Sequence, residues 1–347
     1  MKKQLTLLAA CALVGAAAAN ATCWRINPSP FAKAQFQTVA EAMADINVLP
    51  GDTLLLDPGQ HNGIELKRDN MTIIGTGYLL DMNTKWSESQ VSIASSVYLT
   101  AGSKIEGVRC TGSIIATAKN CVISRCYSNS IQSQNAGVKS TLVEGCLANS
   151  IYVESNGIAR NNIIISNSYN VCLSATNGII ENNTVIRPNS TGYGSTENAA
   201  IRANNSTIRN NIIINTQAGF DSNNVPYSAK NCIDFSPSQN NVIINNILSI
   251  PARYADTNYT NNYFVGATVE NTFVNEGSDD AKWQLLDSSA AKGAATHGGD
   301  CGAFGGATPY VLSGIPMFLP HITEALVPAK PTDGKITVKL KIENQNE

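Results

Sequence analysis

A short phrase recurs through the middle of this chain and leaves few folds open to it. It reads Ile105-Glu106-Gly107-Val108-Arg109-Cys110, then Val122-Ile123-Ser124-Arg125-Cys126, then Leu142-Val143-Glu144-Gly145-Cys146. It continues as Ile158-Ala159-Arg160-Asn161-Asn162, Ile179-Ile180-Glu181-Asn182-Asn183, Ile208-Arg209-Asn210-Asn211, Ile243-Ile244-Asn245-Asn246 and Tyr259-Thr260-Asn261-Asn262. Aligned on their last residues, the copies are 16, 20, 16, 21, 28, 35 and 16 residues apart. Such a period marks a solenoid, whose units cannot bury an apolar face alone and must stack.

Each unit is too short, and too rich in Asn, Ser and Gly, for two helices. Its apolar pieces are brief and β-branched, as in Ile163-Ile164-Ile165, Thr184-Val185-Ile186 and Ile212-Ile213-Ile214. Runs of this kind between Asn/Gly/Ser clusters read as strands bounded by turns. A further apolar piece precedes each later phrase, as in Ser150-Ile151-Tyr152-Val153, Ala200-Ile201 and Asn231-Cys232-Ile233. About three strands and three bends per unit make an all-β chain, each unit one coil of a parallel β-helix. Strands of successive coils stack about 4.8 Å apart, so equivalent side chains form columns. Asn suits the bends because it tolerates left-handed backbone angles, and stacked Asn side chains can bond from coil to coil. In this alignment Cys110, Cys126 and Cys146 fill the position that Asn162, Asn183, Asn211, Asn246 and Asn262 take later.

The pattern resembles the right-handed parallel β-helix superfamily, with the pectate-lyase-type fold, from about residue 36 to 306. The helix-forming stretch followed by Gly51-Asp52-Thr53 and Asp57-Pro58-Gly59 is similar to the opening of many secreted bacterial β-helix proteins. Gly299-Asp300-Cys301-Gly302-Ala303-Phe304-Gly305-Gly306 resembles a terminal signature of such proteins, in which this segment closes the last coil. The resemblance implies a fold and not an activity, because that fold hosts lyases, hydrolases, epimerases, esterases and adhesins.

The ends read differently from the repeats. Met1–Ala21 has the form of an export signal: Lys2 and Lys3, an apolar run from Leu5 to Ala19, and a small-x-small site at Ala19-Asn20-Ala21. Cleavage is expected before Thr22, with lipid attachment at Cys11 as the competing reading. Residues 22–50 form a lead-in and a capping helix: Thr38-x-x-Glu41 is a capping box, and Val39, Ala42, Met43 and Ile46 recur at helical spacing. One helix here would cover the open end of the stack, as solenoids require. Residues 51–306 form the β-helix, with a side loop over 78–90 that carries Trp86. Residues 307–347 are a Pro-rich tail with one short strand, in which Ile336, Val338, Leu340 and Ile342 alternate with polar residues.

A formal charge of −2 and only 14% charged residues argue against nucleic acid as a main partner. After the signal no stretch approaches the length of a membrane span. Eight cysteines follow it, an even number that invites a disulfide reading in an exported chain. The repeat period favours column filling for Cys110, Cys126 and Cys146, although stacked neighbours are within bridging range. Cys23 and Cys301 lie too far apart along a stack to pair. Asp52 and Asp57, beside Gly and Pro, read as turn residues.

The 28- and 35-residue steps place insertions at Arg187–Asn198 and Asn215–Lys230, on consecutive coils. Both should leave on one side as a wall, and loops on a rigid scaffold are where sites usually lie. If Ile201 and Ile233 point inward, alternation sends Arg202 and Asp234 outward together. Tyr152, Tyr193, Glu197, Tyr227 and Lys230 are the candidate substrate-binding residues. An aromatic, acidic and basic set beside a groove suits a polysaccharide or surface glycan. The expectation is an exported protein, extracellular, surface-displayed or periplasmic, that binds carbohydrate or adheres without catalysis. The alternative is a polysaccharide lyase cleaving an acidic glycan by β-elimination. Arg202 would then be the base, as Lys or Arg commonly is in this fold class, and Asp221 and Asp234 would hold calcium. The sequence lacks the Arg-x-Pro-x-x-Arg of pectate lyases, the Asp-Asp and Gly-His-Gly elements of polygalacturonase-like hydrolases as a set (Asp279-Asp280 has no Gly-His-Gly to go with it), and the Asp-Pro-His-Glu of alginate-type epimerases. An Arg202–Asp234 surface ion pair is the structural reading of the same two residues.

Overall fold

The computed structural model describes residues 21–343 except 85–86, 134–139, 167–170, 189–198, 217, 221–225, 235–239, 252–258, 261–262, 265, 317–320, 329 and 331–334. Trp86, Tyr193, Glu197, Asp221, Asn262 and residues 1–20 of the expected export signal lie outside those residues. The chain is predominantly β, with two long, all-parallel sheets of 11 and 15 strands. In the first sheet, strands pair strictly in chain order, from Cys23–Ile26 through Thr53–Leu56 and Thr72–Ile74 to Val242–Ile244 and Tyr259–Thr260. That order is the one a parallel β-helix solenoid would have.

Register explains the core. The middle residues of successive strands pair as Leu54, Ile73, Ile105, Ile123, Val143, Ala159, Ile180, Ile208 and Ile243. All of them are buried. Their neighbours on either side face outward, as period-two alternation demands. Each buried Ile contributes roughly 1.5–3 kcal/mol of hydrophobic stabilisation.

From Lys104–Glu106 on, the bend after each of these strands to Val242–Ile244 uses its two residues for opposite tasks. The first has left-handed backbone angles: Gly107, Gly145, Asn161, Asn182, Asn210 and Asn245 have φ between 52° and 68°. Arg125 takes the same conformation at φ 49°, a strained choice for a long side chain. The second residue points inward. The Oδ1 of Asn183 accepts from the backbone N–H and the Nδ2 of Asn162, at 3.1 and 2.9 Å. Asn211 does the same for Asn183 and Asn246 for Asn211, at 2.8 to 3.0 Å. Each Nδ2 also donates to a carbonyl one coil back: Val143, Ala159, Ile180 and Ile208. All four Asn side chains are fully buried. Upstream, the Cys146 N–H donates to Asn162 Oδ1 at 2.9 Å, and the Cys126 N–H to Cys146 Sγ at 3.4 Å.

Cys110 is not in this column. Arg109 pairs with Tyr127 and Cys110 with Ser128, so Val108 stands level with Cys126. The first copy of the phrase is therefore offset by two residues from its expected place. All eight described cysteines are free thiols. Burial pushes the thiol pKa of Cys110 and Cys121 up to about 11 and that of Cys172 and Cys301 up to about 12.

At the start of the stack lies α1 (Val39–Ala44). Thr38 Oγ1 accepts from the Glu41 N–H at 3.1 Å, and Glu41 Oε2 accepts from the Gln37 N–H at 2.9 Å. Val39, Ala42 and Met43 are buried, whereas Ile46 is 85% exposed. The helix stops at Ala44 and Asp45 is extended, so the helical spacing does not reach Ile46; Val48 is the buried residue instead. Asp52 and Asp57 are both engaged. Asp52 accepts from the Thr22 N–H, the Trp24 indole and the Leu49 N–H at 2.7 to 2.8 Å. Arg25 grips Asp57. The side loop over 78–90 is more ordered than expected, with α2 (Leu80–Asn83), a 3-10 turn at Glu88–Gln90 and a fully buried Tyr78.

The largest departure concerns the C-terminal part. Residues 296–316 do not close the last coil; they run back over the outward first residues of the bends. Thr296 donates to Asn210 Oδ1 from both N–H and Oγ1 at 3.0 Å. Asn182 Nδ2 donates to the Asp300 carbonyl at 3.3 Å. Asn161 Nδ2 donates to the Ala303 and Gly305 carbonyls at 2.9 and 2.6 Å. Arg125 Nη1 donates to the Ile315 carbonyl at 2.8 Å. Gly302 is required, since its φ is +87° and a Cβ there would come within 2.6 Å of Ile212. The far end is pinned by buried Asp280, which accepts from Asn83 Nδ2, Ser278 Oγ and the Ser313 N–H at 2.6 to 2.8 Å. With α3 (Val269–Thr272), Phe273, Trp283, Ala303 and Tyr310, this strap covers an apolar strip on the second sheet made of Leu147, Ile163, Ile212 and Ile247. The expected single tail strand is one arm of an antiparallel hairpin, Lys339–Glu343 with His321–Leu326.

Two substitutions separate the two Asn tasks. Asn183→Ala strands the Asn162 N–H in the core, takes the side-chain donor from the Ala159 carbonyl and leaves Asn211 Oδ1 only the residue-183 N–H; it should cost about 3 kcal/mol, measured by denaturant unfolding. Asn161→Gly keeps the left-handed bend and frees only the strap. It should leave the unfolding midpoint nearly unchanged while speeding proteolysis within 296–316.

Candidate functional site

The second sheet has two limbs. The strands Arg109–Ala116, Tyr127–Ser133 and Leu147–Val153 run through both, with a register shift between Ser128 and Ser130. In later coils the limbs are separate strands: Ile163–Ile165 and Leu173–Thr176, then Thr184–Arg187 and Ile201–Asn204, then Ile212–Asn215 and Ile233–Asp234. The strap lies on the first limb. Among the described residues, none of the strap covers the outer row of the second limb.

Register builds that row one residue per coil. Tyr98 pairs with Ile115, Ile115 with Gln132, Gln132 with Tyr152, Tyr152 with Ser174, Ser174 with Arg202 and Arg202 with Asp234. The residues flanking each position inward, such as Ile131, Ile151, Leu173, Ile201 and Ile233, are buried. The sequence therefore presents the row by simple alternation, as Ser-Ile-Gln, Ser-Ile-Tyr, Cys-Leu-Ser, Ala-Ile-Arg and Cys-Ile-Asp.

Of the residues singled out from sequence, Tyr152, Arg202 and Asp234 are brought onto this one face. Arg202 Nε lies 3.6 Å from Asp234 Oδ2, with side chains 53% and 16% exposed. The surface ion pair is thus formed. Tyr152 is half-buried, and its hydroxyl donates to the Val171 carbonyl at 2.9 Å. That bond ties the ring to the next coil. Lys230 is exposed at the foot of the second insertion. This insertion contains an antiparallel hairpin in which Gly219 pairs with Tyr227. Tyr193, Glu197 and Asp221 belong to chain outside the described residues, so the Asp221–Asp234 calcium pair has no geometry here. Among the described residues no three His, Cys, Asp or Glu side chains are gathered as a metal would need. No described helix is long and apolar enough to cross a membrane.

Gln132, Ser174, Tyr98 and Ile115 were missed. The signal for them was in the repeat: each occupies the place after the inward residue of the second limb, where Tyr152 and Arg202 were found.

A second concavity, of about 320 Å³, lies between α1 and Gln60–Ile64. His61 lines it, with Nε2 2.8 Å from the Asp57 carbonyl. Burial holds His61 below the usual imidazole range, so it is neutral and donates through Nε2.

Comparison of the chain with family models, with curated proteins and with solved structures found no match.

The Arg202–Asp234 pair is half in water, so its coupling should be small. A double-mutant cycle with Arg202→Ala and Asp234→Ala, read by denaturant unfolding, should give an interaction of about 0.2–1 kcal/mol.

Proposed function

We propose that this chain is an exported, surface-displayed or released β-helix of the right-handed, pectate-lyase-type fold. In this reading it binds a glycan without cleaving it. The chain-order parallel pairing and the internal Asn column support the fold assignment. One observation carries the function: a row of side chains, one per coil, on the limb that the strap leaves open. A rigid surface repeating at about 4.8 Å suits an extended polymer laid along the stack. Tyr152 supplies an aromatic platform whose tilt is set by its bond to Val171, and Gln132, Ser174 and Arg202 supply polar groups around it. Arg202 stands beside a carboxylate, and a guanidinium held as an ion-pair cation is poorly placed to take a proton.

The test is retention of the mature protein on immobilised polysaccharides, with absorbance of unsaturated uronate product followed in parallel. Retention without product formation is the expected result. Product formation with calcium that is lost on Arg202→Ala would establish the lyase alternative. Failure to bind any glycan would leave adhesion to a protein as the better account.

A further inference from the structure

Building on the glycan-binding reading, we infer that the ligand of the open face is a neutral polysaccharide, one without uronate or sulfate groups. The row itself carries the argument. Five consecutive coils present Tyr98, Ile115, Gln132, Tyr152 and Ser174, none of them charged. Charge enters at the two ends of this run, at Glu65, which is in register with Tyr98 and paired with Lys67, and at Arg202 and Asp234, and at each end the two signs engage each other.

The flanking insertions do not supply the missing cations. Residues 188–200 contain Glu197 and no Lys or Arg, and residues 216–230 contain one of each sign, Asp221 and Lys230. Arg187, at the base of the first insertion, is fully buried and cannot reach a ligand. An acidic polymer would have to pull Arg202 away from Asp234, leaving a carboxylate that is only 16% exposed without that partner. It would then run along coils offering no compensating charge, where desolvating its carboxylates has no return. A neutral chain meets none of these costs. Its C–H faces can stack on Tyr152 and Tyr98, and its hydroxyls can bond Gln132 and Ser174. Arg202 can also donate to a hydroxyl from N–H groups that Asp234 leaves unused.

The experiment is affinity electrophoresis of the full mature chain in gels containing a neutral polymer (xylan, galactan or a β-glucan) or a uronate polymer (polygalacturonate or alginate), at low and high salt. Retardation by a neutral polymer, unchanged by salt, is expected. Tyr152→Ala should weaken it about tenfold, the scale of one lost stacking platform, while Tyr152→Phe, which keeps the ring but loses the bond to Val171, should weaken it only about twofold. Asp234→Ala should gain uronate binding, roughly fivefold, by freeing Arg202. Circular dichroism of each variant confirms that it folds. Wild-type preference for uronate polymers, abolished by salt, would overturn this inference and leave glycan binding standing. Absence of retardation in every polymer would overturn glycan binding and the inference with it.

Discussion

The fold rests on the hydrogen bonds that run up the inside of the first bend. A tight turn in a stack leaves one backbone N–H per coil facing the interior, where no strand partner exists. Unpaired, such a group would cost on the order of 1–3 kcal/mol. The Oδ1 of the next coil's Asn accepts it, and that Asn donates its own amide protons to the Asn of the coil beyond and to a carbonyl behind. Each Asn side chain is thereby saturated in a dry environment, where such networks fix one arrangement most firmly. The apolar columns would tolerate some sliding of one coil over another. The amide ladder does not, because a one-residue slip breaks every bond in it at once.

The same bends also explain how the strap is held. Left-handed backbone at the first Asn turns its side chain outward, so the paired Asn residues look in opposite directions. The inner one holds coil to coil; the outer one holds the strap. Asn161, Asn182 and Asn210 bind it by side-chain amides, and Arg125 does so where no Asn is present. What the strap covers is an isoleucine strip that would otherwise be a broad exposed apolar face. What it leaves open is the second limb, whose outward residues, Ile115 apart, are polar or aromatic. Sidedness in this protein follows from where the strap runs.

Much of this could be read from residues alone. Strand positions, the inward Ile column and the stacking of Asn162, Asn183 and Asn211 follow from period and β-branching. The pairing of Arg202 with Asp234 followed from alternation plus the repeat. The offset of Cys110 was hidden because the early phrase has no Asn to mark its bend, and a small thiol matched one position as well as another. Ile46 was misjudged because a capping box signals where a helix starts and not where it stops. The strap was illegible for a different reason. The bend Asn residues hold it largely through its main-chain carbonyls, at Asp300, Ala303 and Gly305, and a carbonyl has no residue signature. The open row escaped notice because its members share a position and not a residue type.

Amide hydrogen exchange of the protein tests the central claim most directly. The N–H groups of Asn162, Asn183 and Asn211 lie in a bend, where ordinary turn amides exchange quickly. If they bond to buried Asn side chains as described, they should exchange only through global unfolding, as slowly as the core strand amides of Ile180 and Ile208. Exchange as fast as that of the exposed turn at Asn120 would contradict the ladder and the stacking that depends on it.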